Sequence, residues 1–426
     1  MSHRYSWFLV FFNIVIGFSG PRFLQAAPTA CYEKSVKLNS GKWIGTIIRA
    51  DGNIIPVYFD IQKNAGKTTV HVINGAERLL VDNVRLQGDS IFINMPFFDS
   101  RFAARIEDSM HLTGNYIKNY GDHSVEIPFK AVYHDADPGR FARDQKPSRY
   151  NISGRWAVLF KGPEDTTVSV GEFKQKQNQV TGTFLTITGD YRYLSGSVDG
   201  DTLRLSTFDG GHAYSFVSKI ESDKKMTGFF YAGATSVQSW VADKNDQARL
   251  PDEYSLTQLK DPAKARLHFS YRDLTGQLVS LSDPKFRNKV VIIQILGSWC
   301  PNCMDETKFL APWYVQNKSR GVELIGLAYE RTTSYADAKR LLQPFVTRFH
   351  VTYPILPTGV TVSDSMRTQK TLPEIDSIVG FPTTIFIDKK GLVRKISTGF
   401  NGPGTGNHYD LYKKEFNGLV NSLLSE

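Results

Sequence analysis

Three segments of the chain recur in the same order at an offset of roughly 112 residues, and this repeat restricts the first half more than any other feature. Ser40-Gly-Lys-Trp43 returns as Ser153-Gly-Arg-Trp156. Leu86 to Asp99, LQGDSIFINMPFFD, resembles Val198 to Asp209, VDGDTLRLSTFD. Met110 to Ile117, MHLTGNYI, resembles Lys224 to Tyr231, KKMTGFFY. Within each copy the pattern has a period of two. Ile91, Ile93 and Met95 alternate with Ser90, Phe92 and Asn94, and Leu203 and Leu205 alternate with Arg204 and Ser206. Together with turn pairs such as Asp51-Gly52 and Asp209-Gly210, this predicts antiparallel hairpins. The expectation is two all-β modules, barrels or sandwiches, at residues 32–135 and 150–243, with Trp43 and Trp156 filling their cores rather than offering ligand platforms. Polar, proline-containing stretches at 136–149 and 244–266 read as linkers.

After residue 266 the texture changes. Val290 to Leu296, VVIIQIL, is a continuous apolar run of strand length, suited to a central strand covered on both faces. Val322 to Ala328 is a second such run. Helical patterns follow each, at Asp305 to Gln316 and at Tyr335 to Phe349, the latter interrupted near Pro344. Thr383 to Asp388, Lys389-Lys390-Gly391 and Leu392 to Ser397 read as a hairpin, and Tyr409 to Leu424 as a closing amphipathic helix. The chain therefore reads as multidomain, with two β modules followed by an α/β domain over residues 267–426. Its 426 residues are too many for one core.

At the N-terminus, Arg4 precedes the apolar run Trp7 to Phe18, which gives way to small residues around Ala26 and Ala27. This is the pattern of a secretory signal, residues 1–26, and the run is short of the ~20 residues that span a bilayer. An uncleaved anchor is the other reading. Cys31 then stands where a lipidated residue of an exported protein would stand, or is a plain unpaired thiol; Pro28 lies where an apolar residue is usual before a lipidated cysteine. The net charge of +9 is not gathered into basic runs interleaved with aromatics, so no nucleic-acid partner is expected.

The chain has only three cysteines, and two of them stand in Gly297-Ser-Trp-Cys-Pro-Asn-Cys303. A structural zinc site needs four ligands, and no second cysteine pair or paired histidine motif is present, so no metal is expected. No other cofactor is implied. A purely structural disulfide across so short a loop removes little denatured-state entropy. A redox role fits the position: the pair follows a buried strand and opens a helix, where free N–H groups and the helix dipole favour a thiolate. Cys300 is then the exposed nucleophile, and Cys303, nearly one turn on, resolves the mixed disulfide.

Trp299-Cys-Pro-Asn-Cys303 with Gly380-Phe-Pro-Thr-Thr384 resembles the thioredoxin fold. The longer strings LGSWCPNCMDE, GFPTTIFIDKKGLV and LIGLAYE resemble the exported TlpA/ResA-like thiol–disulfide oxidoreductases. The resemblance covers residues 267–426 and says nothing of residues 32–243. It implies that Pro382 is a cis-proline opposite the cysteines and that Phe381 offers its backbone to a substrate strand. Trp299 shields the site, and Pro301, Asn302 and Thr383 complete its substrate face. Glu306 matches an acidic residue that shapes proton chemistry; its other reading is a first-turn carboxylate on the helix dipole. Glu330 is a second acidic candidate. Gln294 replaces the buried Asp of thioredoxins proper. With Pro-Asn between the cysteines, this leaves the direction of exchange open among reduction, oxidation and isomerisation.

By the same resemblance the partners are protein disulfides and an upstream, membrane-borne electron donor, in the periplasm or cell envelope. Cytochrome c biogenesis is one setting for such chemistry. Cys31 or an uncleaved signal would supply membrane anchoring. Two functions compete. In the first the chain is an exported oxidoreductase, a reductase of protein disulfides. In the second it is a partner-binding or scaffold protein whose β modules carry the main role. Under the first, the modules are expected to act as spacers.

Overall fold

The computed structural model describes residues 37–121, 123–136, 140–141, 146–163 and 165–426. The expected signal segment and Cys31 lie outside the described residues. The compact unit that begins at Val36 holds everything below.

The first β module contains β1 (Gly41–Ile48), β2 (Ile54–Asn64), β3 (Lys67–Asn74), β4 (Glu77–Val81), β5 (Asn83–Gln87), β6 (Ser90–Asn94), β7 (Ser100–Ile106), β8 (His111–Asn119) and β9 (Ser124–His134). They form one sheet in the order β4-β3-β2-β1-β9-β8-β7-β6-β5, which curls until β3 lies against β5. The second contains β10 (Gly154–Lys161), β11 (Thr166–Lys176), β12 (Gln179–Thr186), β13 (Gly189–Asp190), β14 (Leu194–Asp199), β15 (Thr202–Phe208), β16 (Ala213–Ser222), β17 (Lys225–Ala232) and β18 (Ser236–Lys244). Its order is β11-β10-β18-β17-β16-β15-β14-β12, and pairing of β12 with β11 closes the barrel.

Starting from β1 and from β10, the two orders correspond strand for strand. Trp43 and Trp156 are both fully buried, and each donates its indole N–H to the carbonyl four residues before it, of Asn39 and Ile152. Gly114 and Gly228 also match: a Cβ on either would overlap the backbone of the neighbouring strand, β7 or β16. The strands form because one face of each alternates inward. In β1, for example, Trp43, Gly45 and Ile47 are buried and their neighbours are not.

The C-terminal domain opens with the short hairpin β19 (Ser270–Arg272) and β20 (Leu278–Ser280). It continues through β21 (Val290–Leu296), α1 (Pro301–Asn317), β22 (Val322–Ala328), α2 (Tyr335–Phe349), β23 (Ile355–Pro357), α3 (Arg367–Thr371), β24 (Thr383–Ile387), β25 (Val393–Thr398) and α4 (Asn407–Ser425). The sheet order is β23-β22-β21-β24-β25, with β21, β22 and β23 parallel and β24 and β25 antiparallel to their neighbours. Every residue of β21 is buried. Val290, Ile292 and Leu296 pack against α1, α2 and α4, while Val291, Ile293 and Ile295 pack on the other face against Leu372, Ile375 and Ile378.

The stretch 244–266 does not run free between the domains. Glu253 accepts from Ser397, Thr257 and Thr398 share a hydrogen bond, and Leu259 bridges to Ile375. Helix α1 starts four residues earlier than its apolar pattern suggests, with Pro301 in its first turn.

Candidate active site

Strands β21 and β24 run antiparallel with Ile295 opposite Thr383, so the loop after β21 and the loop before β24 emerge side by side. The first carries the cysteines and the second carries Phe381 and Pro382. Cys300 caps α1: its backbone is extended and its Sγ accepts from the Cys303 N–H at 3.1 Å. The two cysteines are joined as a disulfide. The Phe381–Pro382 bond is cis. Trp299 stands edge-on to Phe381 at 5.2 Å and donates its indole N–H to the Tyr329 carbonyl. Thr383 turns its hydroxyl back to the Gly380 carbonyl and is buried, so it braces the cis-proline loop.

Beneath Cys303 lies a closed polar network. Glu306 is fully buried and accepts from Gln294 Nε2 (2.8 Å), Thr384 Oγ1 (2.6 Å) and Tyr412 OH (3.0 Å). Gln294 also reaches the Cys303 carbonyl at 3.4 Å and accepts from Thr307. Burial pushes the Glu306 carboxyl up to about 7, against the pull of its three donors. The carboxyl is too far along α1 and too deeply buried to act as a first-turn partner of the dipole. Gln294 does not titrate, but it fixes the orientation of the residue that does. Glu330 acts on the backbone instead. Its two oxygens accept the Ser298 N–H and hydroxyl at 2.8 and 2.7 Å, pinning the turn before the cysteines. Burial raises its carboxyl too.

The expectation of an exposed Cys300 is corrected: the residue is 4% exposed, and residues of the β modules line the cavity it borders. The β12–β13 turn sits on the redox loops. A Cβ on Gly189 would overlap Asn302, and one on Gly380 would overlap Thr188. Asp190 accepts from the Gly402 N–H at 2.7 Å. From the first module, Phe97 stacks on Phe349 of α2 at 5.2 Å, and Arg348 donates to the Leu80 carbonyl at 2.8 Å.

At the junction of all three parts lies Arg192, 1% exposed and with a left-handed φ of 56°. Its guanidinium pairs with Glu77 of the first module, Asp209 of the second and Asp305 of α1. Three surrounding carboxylates hold its charge well in place, although burial alone would disfavour it. No local pattern marked Arg192 or Asp305. The only cue was a charged residue between two tyrosines, Tyr191-Arg192-Tyr193, in a strand-rich stretch.

Between these parts is a cavity of about 400 Å³ that includes Trp299, Cys300, Pro301, Asn302 and Phe381 on the redox side. Lys118, Tyr120, His212 and Tyr214 face them from the β modules. A second cavity of about 310 Å³ adjoins it across Lys118, Tyr120, Trp299 and Arg331. Among the described residues, no cluster of His, Cys, Asp and Glu could hold a metal ion, and no helix is long and apolar enough to cross a membrane.

A five-stranded mixed sheet, a Cys-x-x-Cys pair at the start of its first long helix and a cis-proline loop beside it define a thioredoxin-like domain. Residues 260–412 match the Redoxin family. The chain is 30% identical over 131 residues to the thiol-disulfide oxidoreductase ResA of Geobacillus kaustophilus, covering 31% of this chain and 66% of that protein. ResA of Bacillus subtilis is 26% identical over 132 residues, covering 31% of this chain and 64% of that protein. The chain thus spans just under two thirds of the length of these relatives. A thioredoxin-family thiol:disulfide interchange protein from Chlorobium tepidum is similar over 38% of this chain and 95% of that one, at 21% identity and a TM-score of 0.29. The C-terminal part of the chain is a Redoxin domain of the TlpA/ResA-like, thioredoxin-fold kind.

Proposed function

We propose that the protein is an exported thiol–disulfide oxidoreductase that reduces disulfides through Cys300 and Cys303. The observation that carries this is the Cys300–Cys303 disulfide at the N-terminus of α1, with a titratable buried carboxyl, Glu306, directly beneath. In the reduced protein the Cys300 thiolate, favoured by the helix dipole and by the Cys303 N–H, attacks a substrate sulfur. A mixed disulfide forms and the first thiolate leaves. Cys303, deprotonated with Glu306 as the nearby proton store, then attacks the Cys300 sulfur, closes the internal disulfide and releases the second thiol. Two electrons and two protons pass to the substrate, and a dithiol donor must return them. Protein disulfides as substrates and a membrane-borne donor are the family expectation.

A Cys303→Ala variant cannot resolve the mixed disulfide. Expressed in the envelope, it should hold its substrates covalently at Cys300, to be released by reductant and identified. Trapping at no site, or equally in Cys300→Ala, would sink the proposal. In the competing reading the β modules carry the main role, and a Cys300→Ala strain would then behave as wild type. The docking of both modules onto the redox site favours the first reading.

A further inference from the structure

The substrate edge of the redox domain is covered by the β12–β13 turn. Ile187 and Thr188 cover Gly399 so tightly that a Cβ there would meet the Ile187 carbonyl at 2.7 Å, and Thr188 lies on Gly380 beside the cis-proline. This cover is a standing feature, since the buried Arg192 ion pairs tie it to α1 and to both modules. A loop of a folded protein has no extended groove to lie in beside Phe381. What remains is a chamber of about 400 Å³ with its annex of about 310 Å³, the size of a small-molecule site.

The chamber also has a charge. Lys118 and Arg331 stand at the wall shared by its two lobes, and among the described residues neither forms an ion pair. Lys118 donates to the Gly211 carbonyl, and both cations lie over the Tyr120 ring, at 5.3 and 4.9 Å. Arg331 also lies over Trp299 at 5.4 Å, one residue from the reactive sulfur. Burial first, and then the charge of Arg331, press the Lys118 amine down to about 8, against the opposing pull of Asp209. The carboxylates nearby are engaged. Asp190 accepts from the Gly402 and Arg192 N–H groups, and Asp209 pairs with Arg192 and His212. In the annex Glu330 accepts from Ser298, and Asp99 and Asp337 pair with Arg340.

We propose that the disulfide taken by this site is a small, carboxylate-bearing molecule, seated with its anionic end on Lys118 and Arg331 and a sulfur at Cys300. The inference rests on the oxidoreductase reading above. The chemistry balances as there: the substrate S–S bond is cleaved to two thiols, and the Cys300–Cys303 disulfide forms.

The test is a single-turnover exchange. The reduced full chain is mixed with 3,3′-dithiodipropionate (anionic), cystamine (cationic, of matching length) or insulin (a protein disulfide), then quenched and its free thiols counted by mass. Each rate is divided by that of free dithiothreitol with the same probe, which removes intrinsic reactivity. The anionic probe should exceed the cationic one at least tenfold, and insulin should be slower than both. The anionic-to-cationic ratio should fall about tenfold in Arg331→Gln and again in Lys118→Gln, each first shown by circular dichroism to be folded. A wild-type ratio near one, a ratio that neither variant moves, or insulin faster than dithiodipropionate would overturn the inference and leave the oxidoreductase reading intact. Exchange with none of the probes would overturn both.

Discussion

Glu306 shows how one buried carboxyl ties the chemistry to pH. In the unfolded chain a glutamate ionises near its ordinary value of 4.5, whereas in the fold it keeps its proton until about 7. The folded state therefore binds the extra proton between these values. Its contribution to stability is complete below about pH 4.5, declines as pH rises, and is gone above about pH 7. For the oxidised protein, stability should fall by roughly 2–3 kcal/mol more between pH 5 and pH 8 in wild type than in Glu306→Gln, which carries no proton to lose. Urea denaturation of both at the two pH values checks this; parallel profiles would show that Glu306 is not held protonated. The cysteines differ by the same logic of surroundings. Cys300 faces the chamber and Cys303 does not, being fully buried in the first turn of α1. At limiting iodoacetamide, the reduced protein should be labelled at Cys300 first, read by peptide mass. Labelling of Cys303 first would reverse their roles.

At the level of elements, the two hairpin turns β3–β4 and β12–β13 do what the turns of an isolated barrel have no need to do. The first carries Glu77 to the buried Arg192, and the second carries Asp190 onto the Gly402 N–H of the C-terminal domain. Arg192 gathers the three parts. Replacing it with Met leaves Glu77, Asp209 and Asp305 buried without their cation, a loss of about 3–5 kcal/mol by the behaviour of broken buried pairs. The module cover should loosen, so alkylation of Cys300 in reduced Arg192→Met should quicken at least tenfold over wild type. An unchanged rate, with the protein folded by circular dichroism, would show that the cover is held by other contacts. Elements of the α/β domain were legible one by one. The run of β21, apolar but for Gln294, fits a central strand covered on both faces, and a Cys-x-x-Cys after such a strand fits the opening of a helix. The apolar pattern placed the start of α1 at Asp305, four residues late; Pro301 fits a first helical turn, where its missing N–H costs nothing.

Over the whole molecule, a spacer role for the β modules predicts that their removal leaves the redox reaction unchanged, and the covered site predicts otherwise. A fragment of residues 253–426 keeps the segment that bonds to Ser397 and Thr398. Compared with the full chain, it should reduce insulin at least tenfold faster and lose its preference between anionic and cationic disulfides. A fragment with the full chain's selectivity would return the modules to the role of spacers. What the sequence by itself determined was everything local: the period of two in the β modules, the repeat that gave both the same strand order, the apolar central strand, and the cysteine pair at a helix start. These follow from side-chain spacing within a few residues, which the backbone geometry of strand and helix converts directly into buried faces. Only the tertiary structure decided that Cys300 is covered, that Glu306 sits among Gln294, Thr384 and Tyr412, and that Arg192 meets Asp305 across 113 residues of chain. Those partners are chosen by where whole elements dock, and a charged residue on a strand carries no mark of whether its neighbour will be water or a carboxylate from another domain.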